Sequence, residues 1–443
     1  MKAEITVIGA GLAGCEAAYA AAQAGIPVTL YEMKPDRYSP AHKSPDFAEL
    51  VCSNSLKAMR TESAAGLLKQ EMRLFGSICL QAADASAVPA GGALAVDRDL
   101  FSQYITREIS SHPLITVRRE EITRLPEQGV TVVATGPLTA DALAAHLVER
   151  FGGMLSFYDA AAPIVTAESV DPALSFRASR YDREQSGQGE YINCPMNKEE
   201  YQAFWQQLVQ AQGAHTHAFD VYEGCMPIEV LARRGEDSIR FGPMKPVGLR
   251  DPRTGHRPWA VLQLRHENTE GSLLNLVGFQ TNLTFGEQKR VFSMIPALHD
   301  AEFCRYGVMH RNTFMRSQQL LTAGYRLRES EQLFFAGQMT GVEGYMESAA
   351  SGILAGHNAV RAVRGLPPLT LPCDTMMGAL AAYVGGENGF ATEDFQPMGA
   401  NFGILPSLEQ PIRDKKQRYA ALAQRALDSM QRYLKEMEET LCV

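Results

Sequence analysis

Apolar and polar positions along this chain switch between a two-residue and a 3.6-residue period, and each switch marks an element. Ile5-Thr6-Val7-Ile8 is a buried-strand pattern that runs into Gly9-Ala10-Gly11-Leu12-Ala13-Gly14. The alanine-rich stretch from Cys15 to about Ala24 predicts a helix, Gly25 ends it, and Ile26 to Tyr31 predicts a second strand with Glu32 at its tip. Helical spacing returns over Ala65–Phe75 and over Asp97–Ile109, where the acid suits a first turn. Ile115-Thr116-Val117 and Val130-Thr131-Val132-Val133 read as strands, the second entering Ala134-Thr135-Gly136-Pro137. From about Ser156 to Pro296 short strand-like runs, such as Ala260–Leu264 and Leu273–Val277, alternate with turns around one helix at Lys198–Ala211. Leu333-Phe334-Phe335-Ala336-Gly337 is a further buried strand ending in glycine, with a helix continuing to about Val363. Past Pro367-Pro368, helices are predicted near Met376–Val384 and over Asp414–Thr440.

The opening unit is a dinucleotide-binding fingerprint in its full context of strand, glycine turn, helix, strand and acid. Gly9 permits the tight turn, Gly11 admits a pyrophosphate to the backbone, and Gly14 lets helix and strand pack closely. Ala10, Leu12 and Ala13 complete the loop, whose unpaired N–H groups and positive dipole end face the phosphates. Glu32 can accept from both hydroxyls of an adenosine ribose. Ala134-Thr135-Gly136 and Phe334-Phe335-Ala336-Gly337 are two later strand–glycine elements, as flavoproteins of the glutathione-reductase type use to return to the same FAD. Gln338 stands where many such proteins carry an acid, and Gly344 and Tyr345 open the helix that follows. A second Gly-x-Gly-x-x-Gly module for a nicotinamide is absent from the sequence.

The expected fold is therefore α/β: a Rossmann-like FAD-binding domain of glutathione-reductase type, split by a mixed α/β insertion. Residues 1–155 and 297–370 form its two parts, 156–296 the insertion, and 371–443 a C-terminal helical region.

Composition changes this picture in one respect. The formal net charge is −8, which argues against indiscriminate nucleic-acid binding. The charge is uneven, however: Val221–Ser330 holds 15 Lys and Arg against 11 Asp and Glu, and the remainder 27 against 39. A polyanion could be handled locally by the middle of the chain. The eight cysteines are scattered without a CxxC pair, so neither a metal site nor a disulfide scaffold is expected, and a reducing cytoplasm fits. No apolar run reaches membrane-spanning length.

Two cysteines are candidates for chemistry. Cys52 lies in Val51-Cys52-Ser53-Asn54-Ser55-Leu56-Lys57, and Cys225 in Gly224-Cys225-Met226-Pro227-Ile228-Glu229. The flanking glycine and proline suit an exposed turn at Cys225, where Arg233, Arg234, Arg240 and Lys245 could lower the thiol pKa by folding back. Cys194 has the weaker context. Phe241–Leu249 is a stiff loop presenting Lys245, and Arg305–Thr313 packs Arg305, Tyr306, His310 and Arg311 into nine residues suited to a polyanion or a planar ligand.

Together these segments resemble the TrmFO family of folate- and FAD-dependent tRNA (uracil-C5) methyltransferases. The match is carried by the fingerprint, Leu50–Lys57, Pro89–Arg98, Ala134–Thr139, Gly224–Glu229, Phe241–Leu249, Leu276–Leu283 with Asn282, Arg305–Thr313 and Ala336–Ser348, and extends to about Gly365. The resemblance implies transfer of a one-carbon unit from 5,10-methylenetetrahydrofolate to C5 of the T-loop uridine (uridine-54) of tRNA. Reduced FAD would convert the methylene to methyl and NAD(P)H would re-reduce the flavin. It further implies that Cys225 is the nucleophile at C6 of uracil and Cys52 the general base, and that the base leaves its loop stack to react. Lys245, Asn282, Arg305, His310 and Arg311 would belong to the folate or tRNA surface. Two other readings stand beside it: an FAD-dependent wobble-uridine tRNA modification enzyme, which is normally longer at its C-terminal end, and a small-molecule flavin oxidoreductase.

Overall fold

A computed structural model of the chain describes residues 4–152, 155–160, 162–180, 190–214, 226–307, 309–392 and 395–441. Five parallel strands form the first sheet, in the order Leu333–Phe335, Val130–Val133, Ile5–Ile8, Val28–Glu32 and Ile115–Arg119. Every residue of Val130–Val133 is buried, which is why that run is β-branched throughout, with the small hydroxyl of Thr131 as its only polar side-chain group. The strand Ile5–Ile8 has parallel neighbours on both sides, so the glycine turn at its end opens where connections diverge to opposite sides of the sheet.

Two helices cover this sheet, Leu12–Gln23 and Tyr345–Val363. They touch through backbone. A Cβ on Gly352 would lie 2.2 Å from the Ala13 carbonyl oxygen, and one on Gly356 2.8 Å from Ala17 Cα. The alanine richness of the first helix is the other half of that contact, since a larger residue at Ala13 or Ala17 would hold the helices apart.

The insertion carries a six-stranded antiparallel sheet, ordered Phe176–Arg177, Ile192–Met196, Ala260–His266, Leu273–Leu276, Ile164–Thr166 and Phe303–Arg305. Its last strand comes from beyond residue 296. Helix Lys198–Gln210 packs Tyr201, Phe204 and Leu208 against it and starts with a capping box between Asn197 and Glu200. An antiparallel ribbon, Leu155–Ala160 with Met309–Phe314, takes the chain out of the first domain and back. The helix expected from Asp97 starts at Arg98 with the Asp97 carboxylate as its cap. The late helices lie at Met376–Gly385 and Lys415–Leu441. Helices Ile78–Ala85 and Phe285–Phe292 and the small sheet of Ser55–Ala58, Ala93–Val96 and Ala87–Val88 were not legible, because runs this short show no reliable period.

Buried carboxylates connect distant pieces. Glu16 accepts from the Ser77 hydroxyl and the Cys79 N–H at the start of helix Ile78–Ala85. Glu71 accepts from the N–H groups of Met376 and Met377, 2.8 and 2.7 Å away, at the start of helix Met376–Gly385. Each fills orphan donors at a helix N-terminus from outside the helix.

Two outcomes test this framework. Gly352→Ala forces the two covering helices apart, with an expected loss of about 1–3 kcal/mol of stability and a lower yield of bound dinucleotide, read by chemical denaturation and by cofactor absorbance. Burial pushes the Glu71 carboxyl up to about 8. A folded-state pKa above the unfolded value means that its stabilising share is complete below the unfolded pKa and is lost as pH rises toward 8, by about 1.4 kcal/mol per pH unit. Glu71→Gln removes that slope, so thermal unfolding curves of variant and native protein converge or cross between pH 5 and 8.

Candidate functional site

Among the described residues seven α-helices begin at a side-chain cap: Ser63, Ser77, Asp97, Asn197, Thr284, Thr375 and Asp414 each accept from a backbone N–H of the first turn. The two helices covering the first sheet do not. They begin at Gly11 and Gly344, and neither has a side-chain cap. Helices Asp141–Phe151, Ile228–Arg233, Glu236–Arg240 and Ser317–Leu320 also begin without one; what sets the two covering helices apart is that their starts adjoin the glycine turns at Gly11 and Gly344, where first-turn N–H groups can meet a ligand.

The glycines of the first turn divide their work as their chemistry predicts. Gly9 has φ +98° and a Cβ there would sit 2.6 Å from the Ala134 carbonyl oxygen; a Cβ on Gly14 would sit 1.8 Å from the Gly9 oxygen. At Gly11 a Cβ would meet nothing within 4 Å, so this backbone faces open space. That space is a cleft lined by Gly9, Gly11, Glu32, His42, Thr135 and Thr139. The Glu32 carboxylate is held at its wall, accepting from the N–H groups of Ala10 (2.8 Å) and Lys34 (3.0 Å). Each oxygen keeps a further lone pair for a ribose hydroxyl. Gly136 turns at φ +71°, and Gly337, at φ +85°, donates its N–H to Ser351 Oγ at 2.7 Å. Gln338 reaches Glu343 at 2.8 Å, so a carboxylate is present close to the position where an acid was missed in the sequence. These residues fit a dinucleotide.

Cys52 sits where the two sheets meet. The buried Tyr345 hydroxyl, in the first turn of helix Tyr345–Val363, accepts from the N–H groups of Cys52 (2.8 Å) and Ser53 (3.2 Å). Burial, reinforced by the nearby Cys52 thiol, raises the pKa of this phenol and keeps it protonated. From the insertion side, Arg305 donates to the Val51 carbonyl (2.7 Å), and Arg265 to Asn54 Oδ1 (2.9 Å) and Ser53 Oγ (3.0 Å). Arg98 donates to the Leu50 carbonyl and pairs with the buried Glu267. Three guanidinium groups thus gather near one carboxylate. Burial pushes Glu267 up and the arginines pull it back, while burial lowers Arg265 and Arg305. The surplus of positive charge borders the thiol-bearing loop.

The other expected residues are distributed as follows. Lys245 is exposed on its loop. Asn282 is buried and donates its N–H to Glu229 Oε1 at 2.8 Å, while Thr281 donates to Glu229 Oε2 at 2.9 Å. Ile228 N–H donates to the Gln280 carbonyl at 2.7 Å, and Gly278 packs on Pro243. The segment Gly278–Asn282 therefore holds both the stretch around Glu229 and the loop at Pro243, 14 residues further on. His310 and Arg311 lie on the Met309–Phe314 strand of the connecting ribbon. Cys225 lies outside the described residues. Arg240 stacks on Trp259 at 3.8 Å. Sequence reasoning missed Arg265, a charge within the mostly apolar strand Ala260–His266, and Glu267 just past its end, and did not separate out Arg98.

A family model described as glucose inhibited division protein A matches residues 4–367. A methylenetetrahydrofolate–tRNA-(uracil-5-)-methyltransferase TrmFO from Enterococcus faecalis is 54% identical over 99% of this chain and 100% of its own length. A protein of the same name from Thermosynechococcus vestitus is 56% identical over 96% of this chain and 93% of its own. This chain belongs to the TrmFO family. Among solved structures, Aquifex aeolicus GidA in its form I crystal superposes with a TM-score of 0.71 at 16% identity, over 99% of this chain and 79% of that one, which extends the likeness of fold beyond the TrmFO family.

In this TrmFO-family chain, the Tyr345 hydroxyl is the element that ties the cysteine loop to the dinucleotide cradle. Tyr345→Phe leaves two N–H groups without an acceptor, a cost of about 1–3 kcal/mol concentrated in that loop. The expected outcome is at least a tenfold fall in single-turnover methyl transfer with cofactor content retained, measured by product analysis alongside flavin absorbance.

Proposed function

We propose that this chain transfers a one-carbon unit from 5,10-methylenetetrahydrofolate to C5 of a tRNA uridine, and that this uridine lies in the T-loop. The cofactor is FAD. Reduced by NAD(P)H, it supplies the electrons that turn the transferred methylene into a methyl group. Uracil C5 is a weak nucleophile, so the chain must activate the ring. The Cys225 thiolate adds at C6 and makes C5 enolate-like, so that C5 can bond to the one-carbon unit of the folate; Cys52 then takes the C5 proton, and those electrons break the carbon–nitrogen bond so that tetrahydrofolate leaves. A hydride equivalent from the reduced cofactor would complete the methyl group, and loss of the thiolate from C6 restores the ring. The observation that carries this reading is the pair of hydrogen bonds from Cys52 and Ser53 to Tyr345, because it holds a thiol at the open end of a cradle helix and against the insertion sheet. The cluster of Arg98, Arg265 and Arg305 favours an anionic ligand or transition state there. Lys245, Asn282, His310 and Arg311 are assigned to the folate or tRNA side, and the division at 1–155, 156–296, 297–370 and 371–443 belongs to the same reading. No helix among the described residues is long and apolar enough to cross a membrane, and the cytoplasm is the compartment proposed.

The test is reconstitution. Purified protein with methylenetetrahydrofolate, NADPH and unmodified tRNA is expected to yield 5-methyluridine in the T-loop on nucleoside analysis. Cys225→Ala is expected to abolish it with FAD retained. Cys52→Ala is expected to slow tritium release from C5-labelled uridine by about 10²-fold or more, the usual weight of a general base. Full activity of either variant overturns that residue's role, and absence of product with the native protein overturns the methyltransferase reading.

A further inference from the structure

The far end of the insertion sheet carries a second feature that the chemistry at Cys52 does not use. Between Arg240 and Trp259 the chain has five cationic side chains, Arg240, Lys245, Arg250, Arg253 and Arg257, against one acid, Asp251, in a protein whose net charge is −8. The acid is buried and already engaged by Arg253 at 2.7 Å. Lys245, Arg250, Arg253, His256 and Arg257 are exposed. Within this segment Arg240 lies 3.8 Å from the Trp259 ring centroid and 4.8 Å from that of Phe241, and Lys198 approaches Trp259 at 5.3 Å. Phe241 is 64% exposed, the highest value among the exposed large apolar side chains described. An open groove runs along this segment, lined by Arg240, Phe241, Arg253, His256, Arg257 and Trp259, with Glu200 and the engaged Asp251 also on its wall; Lys245 and Arg250 lie outside it on the same exposed strap.

The segment is held in shape before any partner arrives. Val261 N–H donates to the Met244 carbonyl at 3.0 Å, Arg180 donates to the carbonyls of Lys245 and Val247, and Pro243 packs on Gly278. Cations interleaved with a bare aromatic ring on a rigid strap suit a ligand that offers phosphates and unstacked or edge-exposed bases together. The strap is also in line with the chemistry. Trp259 precedes the strand Ala260–His266, and Arg265 at that strand's other end holds Ser53 and Asn54 beside Cys52. Six residues of strand at about 3.3 Å each separate the two ends by roughly 20 Å.

We infer that the Arg240–Trp259 strap is a second RNA-contact surface, which grips the tRNA phosphate backbone roughly 20 Å from the reacting uridine through Arg250 and Arg257, with Phe241 as a stacking platform. This rests on the tRNA substrate proposed above and adds where the body of that RNA lies. The strap binds without reading the reacting base, so it sets affinity rather than turnover.

The test compares the native full-length chain with the triple variant Phe241→Ala, Arg250→Ala, Arg257→Ala, all at exposed positions. Unmodified tRNA binding is measured across a salt series, with thermal unfolding and flavin absorbance as controls on folding. The expected result is at least a tenfold weaker Kd, a salt slope shallower by one to two, as loss of one or two phosphate contacts gives, a raised KM for tRNA and an unchanged kcat. Unchanged Kd and slope, or a fall in kcat with KM unaltered, overturns the inference. Weakened binding with an unchanged slope, or displacement of tRNA no better than by an acidic protein of equal charge, also overturns it, since the surface would then be either a general packing element or a protein-docking site. Native protein that binds tRNA with the strap-dependent slope but forms no 5-methyluridine leaves the strap standing and removes the methyltransferase reading instead.

Discussion

The backbone contact between helices Leu12–Gln23 and Tyr345–Val363 is the constraint on which the rest depends. The two segments are more than three hundred residues apart, yet Gly352 and Gly356 lie against Ala13 and Ala17 with no room for a Cβ. That approach fixes where the second helix starts. Its start brings Tyr345 to the Cys52 loop and sets a second uncapped N-terminus about two turns beyond the first, since Ala13 at the start of one helix packs on Gly352 inside the other. Both helix ends carry positive partial charge, so a ligand with two phosphates and a long polar chain between its ring systems is matched by two poles rather than one. A looser helix pair would still fold around the same sheet, but it would no longer place the thiol relative to the cradle.

The second constraint is the polar latch around residues 50–57. Burying Arg265 and Glu267, with Arg98 and Arg305 half-buried beside them, is costly unless the charges are paired and hydrogen-bonded. Arg98, Arg265 and Arg305 spend their donors on Leu50, Ser53, Asn54, Val51 and Glu267, that is, on the backbone and side chains of the one loop that carries Cys52. Asn54 closes the latch by donating to the carbonyls of Val96 and His266, one from each domain. Apolar packing could hold the two domains together as well. It would not aim a loop by direction-specific bonds from both sides, nor leave an excess of positive charge next to a thiol.

How much of this was legible follows from the physics of each part. The fingerprint was readable because its signal is local: glycines forced by close approach and positive φ, followed by an acid at a strand tip. Cys52 was singled out by its segment, but its partners were not, since Arg265 and Glu267 are 213 and 215 positions away. The buried carboxylates were the largest blind spot. Glu16 and Glu71 each look like a solvent-facing position on an amphipathic helix, whereas both are fully enclosed and serve the N-terminus of another helix. Glu229 is similar, hidden in a segment noticed for its cysteine while holding Thr281 and Asn282 in place. Period and propensity describe one element at a time, and an acid that serves a neighbour's backbone has no signature in its own.

The uneven charge now has a structural sense. An acidic protein that must engage RNA cannot rely on a diffuse positive field, because most of its surface repels phosphate. It needs its cations concentrated and aimed. The strand Ala260–His266 does this with one element, carrying Arg265 into the latch at one end and emerging at Trp259 under the cationic strap at the other. Rigid coupling along a β-strand turns two sites into one ruler, so an RNA held at the strap presents only one part of itself to the cysteine loop. On this argument the selection of one uridine among many arises from distance, set by sheet geometry, as much as from any contact to the base itself.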